Sequence, residues 1–110
     1  VSDFGTLEHS IRAWLENDYP LYREVQRIAA RDNRHHVRTR DVQRLVTSIL
    51  YGLNGMSDLR HLYRKAAEEK NREPRSPDWA ALGKFRDSFT RTEFDHIDWA
   101  PLTYDLMEGM

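Results

Sequence analysis

Seven arginines (Arg23, Arg27, Arg31, Arg34, Arg38, Arg40 and Arg44) crowd a stretch that holds only three acids, Glu24, Asp32 and Asp41, and that also carries His35 and His36. A guanidinium is planar, permanently charged and able to donate two parallel hydrogen bonds to a phosphate or carboxylate, which an ammonium cannot do. Arg23, Arg27 and Arg31 recur one helical turn apart. Arg34, His35, His36 and Arg38 follow in a polar connection, and Arg40 and Arg44 open the next helix. These nine residues are expected to form one basic face that contacts the phosphates of RNA or single-stranded DNA, with the strong salt dependence that counterion release imposes. Arginine outnumbers lysine throughout the chain, where Lys65, Lys70 and Lys84 are the only lysines. The codon usage of a GC-rich genome would give the same excess. Gln43, Thr47 and Asn54 are the side chains nearby that can read base edges, but their helix is expected to be too buried to enter a groove.

The other end of the chain has the opposite sign. Beyond Arg91 there is no lysine or arginine, while Glu93, Asp95, Asp98, Asp105 and Glu108 alternate with Phe94, Ile97, Trp99, Leu102 and Tyr104. The segment 92–110 reads either as a final amphipathic turn of the domain or as a docking tail. In the second case Phe94, Asp95, Asp98, Trp99 and Tyr104 would contact a protein partner, as in an inhibitor or adaptor module. A basic middle and an acidic end are also complementary to each other, so the expected protein partners are subunits of a larger assembly or a second copy of the chain.

Signatures of catalysis and metal binding are missing from the sequence. The five glycines build no phosphate loop, and there is neither a nucleophile elbow nor an HExxH pair. The five histidines form no i, i+4 pair, and with no cysteine there is no thiol chemistry or finger-type zinc site. Asp95-His96-Ile97-Asp98 reads as a polar surface turn and Glu68-Glu69 as a solvated helix end. No catalytic residue, metal ligand or cofactor is expected, and the chain reads as a non-enzymatic accessory protein.

Two likenesses bear on this. Arg31-Asp32-Asn33-Arg34-His35-His36 resembles the arginine-to-histidine signature of HEPN-domain ribonucleases, which are all-α; the resemblance implies RNA cleavage by Arg31 and His36, usually across a dimer. It covers six residues and departs from the family in placement, since such domains carry the signature late, after a long helical hairpin. The chain is also similar in size, expected helix content and arginine use to the small all-α subunits that line nucleic-acid channels in CRISPR ribonucleoprotein complexes. That likeness is architectural and rests on no motif.

The elements that must position these residues are helical. Val42, Leu45, Val46, Ile49, Leu50 and Leu53 recur at the spacing of one helical face and make Arg40 to Leu53 the expected core helix. Helices are expected before it from Thr6 to Asn17, with Phe4 packing at the entry, and from Pro20 to Asp32; Asn33 to Thr39 is expected as a loop. After it, Gly52-Leu53-Asn54-Gly55 reads as a short turn, superficially like that of a helix-turn-helix. Ser57 is the expected cap of a fourth helix and Ser76 of a fifth, whose Trp79, Leu82, Phe85 and Phe89 would close the core. Thr90 and Glu93 match a capping box for a sixth, and Pro101 is expected to break whatever continues through Trp99.

A 110-residue chain of net charge −1 and mean hydropathy −0.81 holds one core and no apolar run of membrane-spanning length. The expectation is a single all-α domain, a compact bundle of five to six helices. Without a signal-peptide pattern at Val1 to Thr6 and without cysteine, a cytoplasmic location is expected, with no membrane partner.

Overall fold

The computed structural model describes residues 3–108 and 110, with side chains from residue 7 onward; the expected packing of Phe4 lies outside the described residues. Every regular element is a helix, in the order α1 (Asp3–Asn17), α2 (Tyr19–Arg31), α3 (His35–Tyr51), α4 (Gly55–Glu69), α5 (Trp79–Asp87), α6 (Arg91–Asp95) and α7 (Trp99–Met107). The class is as expected, with seven helices among the described residues rather than five or six. None is long and apolar enough to cross a membrane.

Asp18 organises the first corner. Its backbone N–H closes the last turn of α1 on the Trp14 carbonyl at 3.1 Å, and its carboxylate caps α2 by accepting the Leu21 N–H at 3.4 Å. Pro20 falls in the first turn of α2, where its missing N–H costs nothing. Leu21, Val25 and Ile28 then face the core.

α3 begins at His35, five residues before the expected start, so His35, His36 and Arg38 are helical rather than in a loop. Val37 is buried in the added turn, and Asp32 accepts the Arg34 N–H at 2.8 Å just ahead of it. The opposite end is shorter than expected. α3 stops at Tyr51, and Leu53, read as a core residue, is wholly exposed. Glycine at 52 and 55 permits that stop: a Cβ on Gly52 would lie 2.5 Å from the Ser48 carbonyl oxygen, and one on Gly55 2.5 Å from that of Ile49. α4 therefore begins at Gly55, ahead of Ser57.

The cover over α3 comes from the C-terminal end of the chain. α7 lies along α3, with Trp99, Leu102 and Leu106 buried, while α5 has no fully buried residue and lays Trp79, Leu82 and Phe85 against the core's edge. The expectation that α5 closes the core is thus corrected in part: of its four aromatic and aliphatic residues, Phe89, just beyond the end of α5, is buried in the core. Asp78, not Ser76, caps α5 by accepting the Ala81 N–H at 3.0 Å. The Thr90–Glu93 capping box forms in both directions. Pro101 does not break a helix. Asp98 caps α7, and Pro101 then sits in its first turn, where no intrahelical partner is lost.

Candidate functional site

Arg23 and Arg27 project from α2 toward α4, and both meet the carboxylate of Glu69: Arg23 at 3.1 Å, Arg27 through a shorter bond. Arg27 also pairs with Glu24 at 3.1 Å, and Arg31 reaches the same Glu24 at 3.8 Å. Burial disfavours charge on Arg27, but its bonds to Glu69 and Glu24 more than offset this and raise its pKa. Glu69 is held below the usual carboxylate range, chiefly by Arg27 and then by Arg23. The expected ridge is therefore largely a clamp between two helices.

The connection to α3 consumes two more arginines. Arg34 binds Asp32 at 2.7 Å, and that hydrogen bond holds the Asp32 carboxyl well below its ordinary range. Arg38 turns back on α2 and donates to the Asp32 and Ala29 carbonyls, both at 2.6 Å, satisfying groups that the end of α2 leaves without helical partners. His35 lies 3.1 Å from the Ala100 carbonyl through Nε2 and sits edge-on to Tyr104, tying the start of α3 to α7.

The outer face of α3 behaves differently. His36, Arg40, Gln43 and Arg44 are exposed along it, so the helix is not too buried to present side chains to a partner. Arg40, Gln43, Arg44, Thr47 and Tyr51 line one side of an open groove of about 740 Å³, which Arg91 of α6 completes from the other. The Arg91 guanidinium lies 4.3 Å from the centre of the Tyr51 ring and pairs with Asp95 at 3.0 Å; Arg40 pairs with its neighbour Asp41 at 3.3 Å. Among the described residues, Arg44 has no carboxylate within ion-pair distance. Arg91 was missed in the sequence because it stands forty-seven positions after Arg44, and only the packing of α6 brings them to one groove.

The nine basic residues thus do not form one continuous free face. Of them, Arg40 and Arg44 line the groove and His36 extends it one turn toward the start of α3, whereas Arg23, Arg27 and Arg38 are bound to other elements, and Arg31 and Arg34 pair with Glu24 and Asp32 close by in the chain while staying mostly exposed.

The five residues assigned to protein contact also separate. Phe94 is 2% and Trp99 6% exposed, their rings 5.6 Å apart in a cluster with Tyr51 and Phe89. They are core residues and offer no surface to a partner, which corrects the docking-tail reading for both. Asp95 is paired with Arg91 and Asp98 is the α7 cap, accepting the Ala100 N–H at 3.4 Å; Tyr104 is exposed. No group of three or more potential ligands able to hold a metal is present among the described residues. No known family model, no characterised protein and no solved structure matches the chain.

Proposed function

We propose that the domain is a non-enzymatic accessory module of a larger assembly that grips the phosphate backbone of RNA or single-stranded DNA along the outer face of α3. The observation that supports this is the groove in which Arg40, Arg44 and Arg91 converge with the amide of Gln43 and the hydroxyl of Thr47. Guanidiniums spaced one turn apart suit successive phosphates, and an open groove suits a strand better than a small ligand. Replacing Arg40, Arg44 and Arg91 together by glutamine tests it. Affinity for a labelled single strand falls at least tenfold, and the slope of log affinity against log salt shallows by about 2, at about 0.7 per phosphate. Unchanged affinity in a folded triple variant overturns the reading.

A protein-directed adaptor is the second reading, favoured by a separate observation. Leu53, in the turn beside the groove, is wholly exposed, and Met56, in the first turn of α4, is largely so. On this reading the contact lies at the α3–α4 turn rather than on the acidic end of the chain.

A further inference from the structure

A second cavity, of about 300 Å³, opens where the start of α2 meets the end of α4, lined by Tyr19, Pro20 and Tyr63 and by Lys70, Arg72 and Arg75. Local chain geometry builds it. α4 ends in a paired reversal: the Asn71 N–H donates to the Glu68 carbonyl at 3.1 Å and the Arg72 N–H to the Ala67 carbonyl at 2.9 Å. The reversal requires a left-handed residue, and Asn71, at φ 53°, is of a type that tolerates it. The chain is thereby turned back beside its own helix, where Ala66 and Ala67 are too small to fill the space.

The wall opposite is fixed. Tyr63 donates its hydroxyl to the Asp18 carboxylate that caps α2, and this bond, with burial as the larger cause, pushes the Tyr63 pKa up. Tyr19, next to Asp18 in sequence, is more than one-third exposed, and the Lys70 ammonium sits 4.2 Å from its ring centre. The rim is electropositive. Lys70, Arg72 and Arg75 face a single acid of the lining, Glu73, and among the described residues none of the three lies within ion-pair distance of a carboxylate. Most of the sequence's expected basic ridge is paired, whereas these three cations are not.

Three cations without a carboxylate partner and a partly exposed aromatic ring in one lining match a ligand that carries a phosphate and a planar ring. The volume lies at the lower end of the range for ligand sites, about 300–1,000 Å³, and admits one ring with one phosphate rather than a longer chain. We infer that this cavity binds a mononucleotide, with its phosphate held by Lys70, Arg72 and Arg75 and its base stacked on Tyr19 in place of the Lys70 ammonium. The site is separate from the α3 groove and does not depend on the function proposed for it.

Calorimetric titration of the full chain with adenosine monophosphate, adenosine and inorganic phosphate tests the inference. The monophosphate binds at least tenfold more tightly than either of its parts. The double variant Lys70→Gln/Arg75→Gln loses at least tenfold of that affinity. Tyr19→Ser weakens the monophosphate but leaves inorganic phosphate unchanged. Lys70, Arg75 and Tyr19 are exposed, so each of these variants folds, as an amide NMR spectrum verifies. A monophosphate that binds no better than inorganic phosphate, or whose binding ignores Lys70 and Arg75, overturns the inference.

Discussion

Arg27 and Glu69, forty-two residues apart in sequence, form an ion pair that ties α2 to α4, and Arg23 joins the same carboxylate. Two arginines that look in the sequence like a surface for phosphate are in this way held by an acid of their own chain. In Glu69→Gln that hold is lost: the Arg23 guanidinium is freed of its carboxylate, while Arg27 keeps its pair with Glu24. Thermal stability falls, while affinity for a single strand rises and its salt slope steepens. A variant with unaltered melting and unaltered binding would show that the pair does not restrain the arginines.

Arg38 is a structural residue. Its bonds to the Ala29 and Asp32 carbonyls are made by a charged donor in a half-buried setting, where such bonds contribute about 1.5–3 kcal/mol. Arg38→Met therefore destabilises the domain by an amount of that order in urea unfolding and leaves nucleic-acid affinity within twofold of the parent.

Acid should loosen the same corner. Asp32 and Glu69 both have pKa values lowered by folding, so the stability they contribute is present above the ordinary carboxylate range and is lost as pH falls through their folded values. Asp32→Asn and Glu69→Gln each flatten the acid limb of the stability profile below about pH 4. Tyr63 has the opposite sign: its pKa is raised, so its contribution is present below the ordinary tyrosine value of about 10 and is lost as pH rises through the folded one. Tyr63→Phe removes that alkaline dependence and leaves the acid limb unchanged.

Trp99 and Phe94 separate core from interface. Truncating a buried aromatic costs about 3–5 kcal/mol, and Trp99→Ala is expected in that range by chemical denaturation. Loss of a partner's binding with stability intact would instead place the ring at a surface.

The helical class was legible because the apolar spacing of Val42, Val46, Ile49 and Leu50 admits no other period, and the capping box at Thr90 and Glu93 is a local signal that tertiary packing did not override. The start of α3 was not legible. Arg34 supplies no side-chain cap, and the polar run from Asn33 resembles a loop; its helical bonds are supported by contacts with Ala29 and Ala100, distant groups that no local pattern displays. Leu53 fits the helical stripe by spacing, but the chain leaves the helix at Gly52, where the backbone lies too close to Ser48 for a side chain. The pairing of the basic residues was not legible for a related reason. Counting arginines reports net charge along the chain, whereas Glu69, Glu24 and Asp32 decide which of those charges remain available.

On the function proposed above, α3 and α6 together, rather than the α2 ridge, present the phosphate-binding surface. Fluorescence anisotropy of labelled single-stranded RNA and single-stranded DNA, repeated over a range of salt, compares the parent with Arg40→Gln/Arg44→Gln/Arg91→Gln and with Arg23→Gln/Arg27→Gln. The predicted result is steeply salt-dependent binding that falls at least tenfold in the triple variant and less than twofold in the double one. Binding that survives the triple variant, or that is lost in the folded double variant, would contradict it.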